Sequence, residues 1–295
     1  MQSLNYSSLA REIEVAIELA REAGRRIMDF YNSSVIAEEK IGLDNYAEPV
    51  TEADRAASQI IVNRLKTEFP ADGILSEEET DDQLRLETNR VWMIDPIDGT
   101  RGFINHDGDF AVQIGLAIDG QSALGVVYEP FRERLFWAVK GQGAWLELPN
   151  QARQQLFVSE ETDFTRMILA ASRSHRSARM DKVVKTFVFQ NEIQRGSVGV
   201  KIGLLVINEA DVYIHLSPRT KQWDTCAPEI ILREAGGMMT DLFGAEIVYN
   251  TPNVQNFNGV VSSNSAAHAA IIKKLKPLLT EFGRIRVKPA PPQFS

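Results

Sequence analysis

A chain of 295 residues, 44% hydrophobic and 24% charged, has a globular composition and is long enough for one large domain or two intimate ones. Its 32 Lys and Arg against 40 Asp and Glu leave a net charge of −8, the wrong sign for a nucleic-acid binder. A single cysteine, Cys226, excludes an internal disulfide and fits a reducing compartment.

The first twenty residues lack a basic stretch followed by an apolar run, so they do not read as a signal peptide. No run approaches the roughly 18 apolar residues of a membrane span, so we expect a cytoplasmic protein with no membrane partner. Leu9, Ile13, Ala16, Ile17, Ala20, Ala23, Ile27 and Phe30 recur at helical spacing and predict an amphipathic helix over residues 8–31. A second helix is expected from Thr51, a plausible N-cap with Asp54 at the third helical position, to Phe69, where Pro70 ends it. The period then changes. Arg90 to Ile94 is a short apolar strand running into Asp95, and strands are expected at 111–118, 124–128 and 135–139, the first two joined at Asp119-Gly120. This half reads as helices layered on antiparallel sheet.

A polar connection at residues 148–151 marks a soft boundary. We therefore expect an N-terminal α+β domain over 1–150, a C-terminal α/β domain over 151–288 and a loose, Pro-rich tail over 289–295. In the second half, strands are expected at 167–171 and 212–216. Helices are expected near 179–187, 200–207, 225–235 (stopped by Gly236-Gly237) and 266–282.

The most informative segment is Trp92-Met93-Ile94-Asp95-Pro96-Ile97-Asp98-Gly99-Thr100. A buried strand delivers Asp95, Pro96 stiffens the turn, and Asp98 follows with the Ile97 carbonyl between the two carboxylates. That donor set suits a hard cation with oxygen ligands. A helix starting at Thr100 would aim its free N–H groups at the same place, an anion site. The alternative is a plain turn with Asp98 as N-cap. Glu77 and Glu78 follow the apolar Ile74-Leu75, again at a strand end, or belong to a solvated acidic loop. Asp224 follows Trp223 at the opening of a helix and could be only its cap. Asp54 is a charge favoured near a helix N-terminus.

Taken together, Val50-Thr51-Glu52-Ala53-Asp54, Ser76-Glu77-Glu78, Asp95 to Thr100 and Trp223-Asp224 resemble, in order and spacing, the signatures of the inositol-monophosphatase superfamily of lithium-sensitive phosphatases, over roughly residues 10–275. In Ser172 to His175, Gly196-Ser197 with Lys201, and Ser217 to Glu229, the second half looks like the 3'(2'),5'-bisphosphate nucleotidases, including bacterial ones linked to sulfur assimilation. Arg101-Gly102-Phe103 departs from the Lys-Glu-Phe that many bacterial nucleotidases carry there.

The resemblance implies an α+β fold, an α/β/α/β/α layered sandwich of the inositol-monophosphatase and fructose-1,6-bisphosphatase type. It implies two or three Mg²⁺ per site on Glu77, Asp95, the Ile97 carbonyl, Asp98 and Asp224. Asp54 and Thr100 would position the attacking water, with Gly99 and Thr100 amides on the phosphate. Ser172, His175, Ser197, Lys201, Arg219 and Asp224 would contact substrate. The expected partner is a small phosphate monoester, adenosine 3',5'-bisphosphate first, hydrolysed to AMP and phosphate. An inositol or sugar phosphate comes second, and a metal- or nucleotide-binding regulator without catalysis third. Monomer and homodimer both stay open.

Overall fold

The amphipathic opening segment forms α1 (Ala10–Tyr31), whose buried stripe of Val15, Leu19, Ala23 and Ile27 lies against α2 (Glu52–Glu68) and one face of a large sheet. Thr51 starts α2 as expected: Asp54 Oδ2 accepts from the Thr51 amide at 2.7 Å and from its hydroxyl at 2.6 Å. The structure, a computed structural model, describes residues 9–33, 37–41, 47–173 and 176–288. The Pro-rich tail and His175 lie outside the described residues.

The large sheet contains β3 (Gly73–Ser76), β4 (Arg90–Asp98), β5 (Ala111–Ile118), β6 (Gln121–Glu129), β7 (Arg134–Val139), β8 (Ala144–Glu147) and β9 (Gln154–Leu156), in that spatial order. A separate two-stranded ribbon joins β1 (Ala37–Ile41) to β2 (Ala47–Thr51). All neighbours in the large sheet are antiparallel except β3 and β4, which run parallel. β9 follows the polar connection and still completes this sheet. A smaller sheet, ordered β11-β10-β12-β14-β13, comprises β10 (Ile168–Ser172), β11 (Asn191–Arg195), β12 (Val212–His215), β13 (Gly237–Thr240) and β14 (Val260–Asn264).

Between the sheets lie α5 (Val198–Val206) and α6 (Gln222–Glu234); α4 (Ala178–Phe187) and α7 (Ser265–Glu281) cover the outer face of the smaller sheet. The layers are thus α/β/α/β/α, as the resemblance implies. Close approach of α6 depends on absent side chains below it: a Cβ on Gly115 would sit 2.8 Å from Cys226 Sγ, and one on Gly125 would sit 2.5 Å from the Ala227 carbonyl oxygen. Burial all round explains why α6 has little amphipathic pattern to read. It begins at Gln222, three residues before the sequence expectation, and β4 runs on past Ile94 to Asp98. Strands β1, β2, β8, β9, β11, β13 and β14 went unread because they are short or partly polar, without a clear period.

His268 on α7 is buried, its Nε2 2.9 Å from Thr240 Oγ1 and its Nδ1 2.8 Å from Ser263 Oγ. Burial pulls its pKa from 6.5 down to about 4. The folded protein therefore binds fewer protons than the unfolded chain between these values, and stability falls as pH falls through them, by about 2 kcal/mol at pH 5. In denaturant unfolding, the stability gap between wild type and His268→Asn should narrow from pH 7 to pH 5. A constant gap would contradict the buried neutral imidazole.

Candidate active site

Where β3 ends beside β4, Ser76 pairs with Ile94, so Glu77 and Asp95 occupy the next positions along the two chains. The Glu77 amide still donates to the Ile94 carbonyl at 3.1 Å. The register of β4 against β5 then slips by one residue between Asp95 and Asp98. A bulge follows from Pro96, which has no N–H for the ladder, and it re-aims the carboxylates that flank it. Gly99 caps the short helix α3 (Thr100–Ile104) at φ +95°, and a Cβ there would lie 2.5 Å from the Asp109 carbonyl oxygen. A third carboxylate arrives from far along the chain: Asp224 is the third residue of α6, its Oδ2 accepting from the Lys221 amide at 2.7 Å.

Glu77, Asp95 and Asp224 each bring one oxygen to a point where all three lie within 4.8 Å of one another. Burial, then the neighbouring charges of Glu77, Asp98 and Asp224, hold the Asp95 carboxyl well above its usual range. Burial, then Asp98 and Glu77, push Asp224 up to about 8. Asp95 Oδ1 is buried without a hydrogen-bond partner among the described residues. An orphaned carboxylate oxygen inside a cluster of like charges fits a divalent cation, and oxygen-only donors fit magnesium.

Asp98 lines the same cavity but stands outside that trio. Its Oδ2 accepts from the Ser197 hydroxyl, the Gly199 amide at 2.8 Å and the Gln113 side chain, while burial raises its pKa against these bonds and the charge of Lys201. Here the structure corrects the reading of Ser197 as a substrate contact: it is fully buried behind Asp98, capping α5 by accepting from the Val200 amide at 3.0 Å. Its proton is committed to Asp98, and Ser197 is not among the residues lining the cavity.

Lys201, expected to contact substrate, lines the cavity beside the carboxylates. It is buried, donating to the Gly196 carbonyl at 2.9 Å with its ammonium 5.0 Å from the centre of the Tyr213 ring. Burial lowers its pKa to about 8 against the pull of Asp98, Asp109 and Asp224. Its charge therefore belongs to the balance of the carboxylate cluster.

The Thr100 hydroxyl lies 3.3 Å from Asp54 Oδ1 and 3.1 Å from the Ile97 carbonyl, so its proton can go to either. Asp54 is buried and raised to about 7 by that burial, against the bonds from Thr51 and with the charges of Glu78 and Glu77 adding to it. Ser172, Gly99 and Arg219 line the cavity as expected, about 210 Å³ in volume, together with Arg101, from the segment that departs from the nucleotidase pattern, and with Tyr213 and His215, which no motif singled out. Lys40 was also missed. From β1 its ammonium pairs with Glu77 at 2.9 Å and with Glu78; within a run of charged residues it carried no signal. Arg173, on the cavity rim, pairs with Asp107 and with the buried Asp109, which Arg132 also binds at 2.9 Å.

Residues 8–279 match the Inositol monophosphatase family. The chain is 35% identical over 240 residues to the 3'(2'),5'-bisphosphate nucleotidase CysQ of Aggregatibacter actinomycetemcomitans, covering 81% of this chain and 87% of that protein. It is 29% identical over 277 residues to the Nus factor SuhB of Salmonella typhimurium, covering 91% and 97%. Among solved structures, the IMPase of Thermotoga maritima superposes with a TM-score of 0.77 at 26% identity, covering 92% of this chain and all (100%) of that one.

Proposed function

Because the chain belongs to the inositol monophosphatase family, we propose that the carboxylate cavity is the active site of a magnesium-dependent nucleotidase that removes the 3'-phosphate of adenosine 3',5'-bisphosphate, leaving AMP and phosphate. The observation that carries the chemistry is the orphaned Asp95 oxygen among Glu77, Asp224 and Asp98, beside a hydroxyl–carboxylate pair. Glu77, Asp95, the Ile97 carbonyl, Asp98 and Asp224 would hold the ions. Bound there, magnesium supplies an acidified water and neutralises the charge of a phosphate dianion.

The residues of the chain do the rest. Thr100, donating to Asp54, keeps its oxygen lone pairs free to accept from the attacking water and fix its line of approach. Asp54, with a pKa near 7, can share that proton without a large energetic mismatch. Ser197, Gly199 and Gln113 pin Asp98, so its other oxygen is presented in one orientation. Cys226 is buried between α6 and the large sheet, and burial raises its thiol pKa, so it is no nucleophile.

The nucleotide is favoured by the identity to CysQ and by the cations Arg101 and Arg219 at the cavity. A comparable likeness to the Thermotoga IMPase supports an inositol or sugar phosphate as the second reading. Phosphate release from adenosine 3',5'-bisphosphate, inositol 1-phosphate and a sugar phosphate, each with Mg²⁺, separates the two. We expect the bisphosphate to lead in kcat/KM by at least about tenfold, or about 1.4 kcal/mol, and lithium in the millimolar range to inhibit. Preference for the inositol phosphate would select the second reading. No release from any substrate would leave a binding protein.

A further inference from the structure

The carboxylate cavity is small for the substrate proposed. At about 210 Å³ it falls below the roughly 300–1,000 Å³ usual for small-molecule sites. It does not stand alone. A second cavity of about 640 Å³ adjoins it, and Ser172, His215 and Arg219 line both. The annex reaches from this neck to the start of α4 and the segment after α7, and Arg176, Arg179 and Arg284 line it.

These arginines are not equivalent. Arg176 is neutralised by Asp181 at 2.6 Å and by Glu192. Arg179 and Arg284 pair with no carboxylate among the described residues. Arg179 lies 5.8 Å from the centre of the Phe282 ring, and Arg284 donates to the Phe257 carbonyl at 3.2 Å. Burial, and then the like charge of Arg179, pull the Arg284 pKa below its ordinary value. Two guanidinium groups that line one cavity and bear on each other as like charges, in a protein of net charge −8, are stabilised by an anion that reaches both. The exposed N-terminal turn of α4 adds positive potential on the same side.

We propose that this annex is the subsite for a second anionic group carried by the substrate, a phosphate gripped by Arg179 and Arg284 at the end remote from the bond that is cut. The scissile phosphate occupies the carboxylate cavity, the body of the molecule passes the neck, and the remote anion enters the annex. The inference rests on the phosphatase reading but not on the nucleoside.

The test compares adenosine 3',5'-bisphosphate with adenosine 3'-monophosphate, which lacks only the remote group, on wild type, Arg179→Gln, Arg284→Gln and the double variant. The double variant should raise KM for the bisphosphate about tenfold, about 1.4 kcal/mol, with kcat and the monophosphate KM unchanged within twofold. Equal effects on both substrates, or none, overturn the proposal. So does a sulfate effect on monophosphate hydrolysis that the double variant abolishes while the bisphosphate KM stays put, since the annex would then take a free anion. If wild type cleaves inositol phosphates and not nucleotides, the nucleotide reading fails separately. The annex is then read from an inositol bisphosphate against an inositol monophosphate in the same variants.

Discussion

Asp224→Asn should lower kcat/KM at least about a hundredfold while making the metal-free protein more resistant to heat. The two effects have one cause. Asp224 brings its negative charge to within 4.8 Å of oxygens of Glu77 and Asp95, and its carboxyl is raised to about 8 by burial and by its like-charged neighbours. In the absence of a cation that charge is repelled, so an isosteric amide relieves the cluster. In the presence of Mg²⁺ the same charge is what binds, so the amide forfeits affinity and turnover together. Thermal unfolding with and without Mg²⁺ reads this independently of activity: the ion binds the folded chain and raises its Tm, and the rise should shrink sharply in Asp224→Asn. Wild-type turnover with an undiminished Mg²⁺ shift would remove Asp224 from the cluster.

Thr100→Ala should lower kcat about a hundredfold, in the range of a lost proton-relay contact, with KM changed less than threefold. The hydroxyl is held between Asp54 Oδ1 and the Ile97 carbonyl, 3.3 and 3.1 Å away. In the proposed reaction it would touch the attacking water and not the body of a substrate, so its loss would weigh on the transition state. Thr100→Ser should keep most of the rate. Asp54→Asn should resemble Thr100→Ala, and the double variant should be little worse than either, because the two act as one unit. An effect confined to KM would make Thr100 a phosphate contact only.

Much of this site was legible as local spacing. Asp95, Ile97, Asp98, Gly99 and Thr100 sit on one turn whose stiffness and sharpness come from Pro96 and Gly99. Thr51 and Asp54 read as a capping box from their spacing alone, and so they fold. Glu77 after Ile74-Leu75 was recognisable as a strand-end carboxylate, although the acidic residues behind it offered a solvated loop as an equal reading. Ser197 and Lys201 show the limit. Both stand near an active-site segment in sequence, but whether a polar side chain faces the cavity or the layer behind it depends on which helix lies against which sheet.

By itself the sequence determined the principal helices and strands, the carboxylate turn and the capping geometry of Asp54, because each is written in interactions between residues a few positions apart; the layered α+β architecture came only through the family resemblance. Only the tertiary structure decided that Asp224 meets Asp95 across 129 residues of chain, that Lys40 faces Glu77, and that Ser197 serves Asp98. It alone brought Arg179 and Arg284 to one cavity. Those outcomes depend on close approach of α6 to Gly115 and Gly125 and on the burial of charge between layers, and burial, which sets the strength and sign of every electrostatic effect in this site, is a property of packing that no local pattern carries.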